Sequence, residues 1–144
     1  MSLIKSIKME VSDFHYSKLE LIDNFDYSKV TKKVKEELGE NATKEFLYEG
    51  VENLKKYYAV ALLDPLNCHA VSEMVDPFWH AHILFTHDYI KFCDDVYGHY
   101  IHHEPLDKDN LDEVERVTRL YEYTLEIYPK LFNNTGFVHK NVTG

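Results

Sequence analysis

Cysteine, proline, glycine and positive charge are all in short supply in this chain. Two cysteines, Cys68 and Cys93, cannot build a disulfide framework. Four prolines and five glycines in 144 residues leave no linker, repeat or low-complexity run, so one domain over 1–144 is expected. Basic residues number 16 against 25 acidic ones, for a net charge of -9. That excludes the basic footprint a nucleic-acid binder needs and disfavours an anionic membrane surface. The one lysine cluster, Lys32, Lys33 and Lys35, is interleaved with Glu36 and Glu37 and reads as a solvated helix face. The longest apolar run, YYAVALL at 57–63, is far too short to span a bilayer. MSLIKSIKMEV has no signal-peptide apolar region, so a reducing, cytoplasmic setting is expected. The Asn-x-Thr triplets at Asn41, Asn133 and Asn141 are then chance matches.

What is present is apolar and aromatic. Hydrophobic residues make up 44% of the chain and aromatic ones 14%, enough for a sizeable core. The periodicity is helical. Ser28 opens a helix carrying Val30, Val34 and Leu38 on one stripe, and Gly39 stops it. Asn41 or Thr43 opens a second, with Leu47, Val51, Leu54, Tyr58 and Ala61 at helical spacing, ending near Asp64-Pro65. After a connector at 64–72, a third starts at Ser72 or Asp76 and runs unbroken to about Tyr97, where Gly98 suits a left-handed cap. A fourth begins after Asp109 or Asn110, with Glu113 as capping-box partner and Leu111, Val114, Val117, Leu120, Tyr121, Leu125 and Tyr128 on its buried stripe, and stops before Pro129. The expectation is an all-α domain of about four main helices, with an irregular N-terminal arm and a loose tail at 133–144.

Chemistry concentrates in VDPFWHAHILFTHDYIKFCDDVYGHYIHHEP, residues 75–105, which holds six histidines. At about 100° per residue, His80 and His82 point about 160° apart, so a regular helix cannot offer both to one metal ion. His80 falls on the polar arc with Asp76 and His87. His82 falls in the apolar arc with Trp79, Thr86 and Tyr89, so it is expected to be buried, with Thr86, Tyr89 or another segment satisfying its ring nitrogens. Gly98 lets the chain reverse, bringing the 101–105 loop back along the helix with one of His102 and His103 inward and the other outward. Asp76 stands four residues before His80, where a carboxylate can orient an imidazole for a metal. Cys93 lies three turns beyond His82, too far for a nucleophile pair.

This element, V-D-x-x-W-H-x-H-I-L-x-T-x-x-Y-x-x-F-C-x-x-x-x-G-x-x-x-H-H-x-P, resembles the glycine-rich domain-containing protein-like family, a bacterial domain of unknown function, over roughly residues 22–105. The resemblance implies an all-α domain and brings no established activity. Pro77 and Phe85 depart from the family's pattern. At Phe85 an acidic residue, and any role it has, is lost.

Two readings follow. In the first, Asp76, His80, His102 and His103 form a metal- or small-ligand-binding site, supported by Trp79, His82, Thr86 and Tyr89. A divalent zinc, iron or nickel ion suits imidazole with carboxylate. No general base is identifiable, so no reaction is assigned. In the second, the histidines are structural and the domain is a non-catalytic interaction or regulatory module. Homo-oligomerisation is open in both.

Overall fold

The computed structural model describes residues 3–103 and 106–133, and the backbone of 142–143. Among these are seven α-helices: α1 Leu3–Ser6, α2 Asp13–Asn24, α3 Ser28–Leu38, α4 Lys44–Leu63, α5 Asp76–Leu84, α6 Thr86–Tyr97 and α7 Leu111–Leu131. A single 3-10 turn, Gly39–Asn41, separates α3 from α4. The all-α expectation stands in outline; the count of about four helices does not. No helix among the described residues is long and apolar enough to cross a membrane.

The count is overturned in two places. The expected irregular arm contains α1 and α2. Ser12 caps α2 by accepting the His15 N–H at 3.1 Å, yet only Leu19 and Ile22 of this helix are buried while Phe14, Tyr16 and Leu21 are exposed. Apolar residues ring α2, so its stripe is masked. The expected third helix is broken at Phe85 (φ -86°, ψ 72°), which ends α5 and caps α6. The break has a packing cause. A continuous helix rises about 10 Å between residues seven apart and about 15 Å between residues ten apart. With the break, the His82 and Tyr89 rings lie 5.0 Å apart and Trp79 Nε1 reaches Tyr89 Oη at 3.0 Å.

Other boundaries follow local chemistry. Gly39 and Gly98 adopt positive φ where α3 and α6 end. Thr43 caps α4 through the Phe46 N–H, and Asn110 caps α7 through the Glu113 N–H. The helix α7 runs past Pro129 to Leu131, not stopping before it; of its expected stripe, Leu111 is exposed. Most of the expected loose tail lies outside the described residues. At its end, β2 Val142–Thr143 pairs antiparallel with β1 Val71–Ser72, Val71 opposite Thr143.

The core gathers Leu19 and Ile22 of α2, Val30 and Val34 of α3, Leu54 and Tyr58 of α4, Phe78 of α5, and Tyr89 and Phe92 of α6. Each such side chain contributes roughly 1.5–3 kcal/mol when fully buried. A buried ion pair joins Lys55 of α4 to Asp23 of α2 at 3.2 Å, and the same carboxylate accepts the Leu3 and Ile4 N–H groups, tying α1 down. A smaller cluster, Ala70, Val117 and Tyr121, seats α7 against the connector after α4.

Candidate functional site

His82 is the inner member of the W-H-x-H element and is sealed in rings. It is 1% exposed. The rings of Phe25, Tyr89 and Phe92 stand 5.0 Å from it, with Tyr58 at 5.7 Å and Tyr27 at 6.0 Å. Its Nδ1 meets Tyr58 Oη at 2.6 Å. Burial pulls its pKa down to about 4, against a smaller opposing pull from Asp88, so the ring is neutral at pH 7. Burial also pushes the Tyr58 phenol well above its ordinary value, which keeps its proton. A phenol donating to Nδ1 fixes the Nε2–H tautomer, and that Nε2 has no partner among the described residues. Thr86, an expected partner for His82, is exposed beyond the Phe85 break. The partner comes from α4, 24 residues away.

His103 is the inward histidine of the returning loop and His102 the outward one, dividing as the alternation of an extended loop requires. His103 Nε2 donates to Asp76 Oδ1 at 2.5 Å, and its side chain is 8% exposed. Trp79 packs on its ring at 4.4 Å. Trp79 Nε1–H donates to Tyr89 Oη, whose own O–H donates to the Ile101 carbonyl at 2.6 Å. Helix and loop are thus joined twice, by a carboxylate–imidazole pair and by an indole–phenol–carbonyl chain. Asp76 therefore orients His103 rather than His80, which faces solvent. With Nε2–H donated to Asp76, a neutral His103 ring has its lone pair on Nδ1, and that nitrogen is buried without a partner among the described residues. Of the four residues nominated for a metal, Asp76 and His103 meet, while His80 and His102 are exposed. Among the described residues no three His, Cys, Asp or Glu side chains converge on a point that could hold a metal ion.

Trp79 also forms part of a cleft of about 230 Å³. Tyr57, whose ring packs on Trp79 at 4.8 Å, lies beside it. His102 comes from the loop, Cys68, His69 and Ala70 from the connector, and Glu113, Arg116, Val117 and Leu120 from α7. His69 is fixed on both sides: Nε2 lies 2.9 Å from Asp64 Oδ2 and Nδ1 lies 2.9 Å from Thr124 Oγ1. Tyr123 stacks on its ring and donates its O–H to the same Asp64 oxygen. Burial pulls the His69 pKa down, opposed by the carboxylate. Burial draws the Asp64 pKa upward, but hydrogen bonds from Asn67, Tyr123 and His69 outweigh it and leave the carboxyl below its ordinary value. Neither protonation state of His69 breaks these bonds. The Thr124 O–H points to Nδ1 when the ring is neutral. It turns to the Leu120 carbonyl, 2.8 Å away, when Nδ1 gains a proton. Cys68 is exposed and Cys93 is buried, its thiol pushed up in pKa by burial.

The reading from sequence missed the connector and α7 side of this cleft. His69 lies in the connector, outside the histidine-rich stretch at 75–105. Glu113 was visible as a capping-box residue, but the reciprocal half of the box is not formed: the Asn110 N–H goes to the Asp107 carbonyl.

A family model described as UCP032817-like matches residues 17–124, a wider stretch than the 22–105 of the resemblance. It lends no support to the glycine-rich domain-containing name. No curated protein and no solved structure matches the chain.

Proposed function

The chain belongs to the UCP032817-like family, and from that premise we propose that it is a small-ligand-binding domain whose site is the cleft between Trp79, the returning loop and α7. The family's description names no activity, so the reading rests on the site. The observation that carries it is that both halves of the histidine motif reach the cleft, Trp79 from α5 and His102 from the loop. At about 230 Å³ the cleft is smaller than the roughly 300–1,000 Å³ of sites for drug-sized molecules. Its occupant is correspondingly small. His69 has both ring nitrogens engaged and offers no free base, so the reading is binding, with no reaction attached.

Zinc, iron or nickel enters as a narrower proposal. A divalent ion would use the lone pair of His103 Nδ1, oriented by Asp76, together with groups that the loop would have to bring in. Metal content of the purified protein near one per chain, lost in Asp76→Asn, supports it; substoichiometric metal and a Tm unmoved by chelator count against it.

The interaction-module reading is favoured by one observation: the bonds that fasten loop to helix are complete without a ligand. Protein-observed NMR with a library of small fragments separates the two. The binding reading expects hits that move the Trp79 indole N–H and the backbone signals of Cys68 and Val117. Fragments that move none of these leave the interaction module standing.

A further inference from the structure

The α7 wall of the cleft carries two opposite charges that no described residue pairs with. The chain has two arginines. Arg119 pairs outward with Glu115 at 3.5 Å, both largely exposed. Arg116 lines the cleft, and its guanidinium has no hydrogen-bond or ion-pair partner among the described residues. Glu113, one turn earlier on the same face, has its N–H capped by Asn110, but its carboxylate is not used in return and has no partner there either. The two side chains do not pair with each other, although an i, i+3 spacing places their Cβ atoms roughly 5–6 Å apart. Trp79 and Tyr57 line the same cleft, each nearly buried, and the rings of Tyr57 and His103 already pack on Trp79.

We infer that the cleft takes a small zwitterion of the α-amino-acid class, its carboxylate on Arg116 and its ammonium on Glu113. This rests on the small-ligand reading of the same cleft and gives that reading a chemistry. A guanidinium presents a two-pronged donor that matches a carboxylate, and a carboxylate accepts from an ammonium. An α-amino acid carries both ionic groups on one carbon, which fits charges one helical turn apart. A simple anion would leave Glu113 facing it with like charge. A simple amine would meet Arg116 in the same way.

Trp79 is the chain's single tryptophan, so its fluorescence reads the cleft, and Cys68 is the exposed thiol of two, so its alkylation rate reads the rim. The probes are L-phenylalanine, its amide, which lacks the carboxylate, and its N-acetyl derivative, which lacks the ammonium. L-phenylalanine is expected to change Trp79 emission and slow alkylation of Cys68, with the amide and the N-acetyl compound each bound about tenfold more weakly, as loss of one charged hydrogen bond implies. Arg116→Gln is expected to bring L-phenylalanine down to the affinity of its amide without changing the amide. Glu113→Gln does the same for the N-acetyl compound, and Arg119→Gln, on the solvent face, alters neither comparison. Equal binding of the three probes, or no binding of any while neutral fragments still map to the cleft by NMR, overturns the zwitterion and leaves the small-ligand reading intact. If fragments fail there as well, both fall.

Discussion

Trp79 is a wall between two regions built from the same short motif. On one side His82 sits among five aromatic rings, neutral, with a single phenol as partner. On the other, His102 of the loop and the α7 charges border a cleft where a guanidinium, a carboxylate and a thiol have no partner among the described residues. The contrast shows that the histidines of one dense run sit in unlike surroundings, His82 buried and His80 and His102 exposed. The histidine with the most aromatic company packs in the core, and the candidate surface is assembled from residues up to 63 positions apart, Tyr57 and Leu120 among them.

If that division holds, the largest effect comes from emptying the aromatic box. His82→Ala is expected to destabilise the fold by about 3–4 kcal/mol, through a cavity and an orphaned Tyr58 hydroxyl. Chemical denaturation measures this, and fragment binding at the cleft should survive under conditions where the variant is folded. Next comes pH. His82 has a folded pKa of about 4 against an ordinary 6.5. The unfolded chain therefore binds a proton that the folded one does not between these values. Its contribution is fully present above about pH 6.5, falls as pH drops toward 4 and then levels off; the 2.5-unit difference is worth about 3 kcal/mol. His82→Phe should flatten that part of the curve between denaturation runs at pH 7 and pH 4.5.

These effects depend on non-local packing, and that is also where the sequence was hardest to read. Caps and stops were legible because they are local: Gly39, Thr43, Asn110 and Gly98 all act within a turn of their own position. The opposite facing of His80 and His82 was legible because helical geometry alone dictates it. The break at Phe85 was not, since Leu84, Phe85 and Thr86 include no glycine or proline. It is imposed by rings that must meet across it. Likewise, Tyr58 as the partner of His82, Asp76 as the partner of His103, and the Asp64–His69–Thr124 network join segments 24, 27 and 55 residues apart.

A middle-sized effect should sharpen the comparison on the cleft side. Asp76→Asn keeps the shape of the helix start but removes the charge from the His103 bond. A stability loss of about 1–2 kcal/mol is expected, with faster amide exchange at Ile101 and His102 and weaker fragment binding, because the loop that carries His102 loses one of its two fastenings. The smallest effect is expected at the cleft rim. Cys68→Ser and Arg116→Gln should each leave stability within about 0.5 kcal/mol of the parent, since neither side chain has a partner to lose among the described residues. A larger loss at either position would mean that the cleft is held closed by its own residues rather than shaped for a ligand.

Nitrogen NMR of the imidazole rings across pH 8 to 4 tests the division at Trp79 most directly. The account predicts that His82 keeps one neutral tautomer, proton on Nε2, until the pH approaches about 4, and that added zinc leaves its signals unmoved. A His82 ring that titrates near 6.5, or shifts on adding zinc, would place it in reach of solvent and contradict the sealed box on which the rest depends.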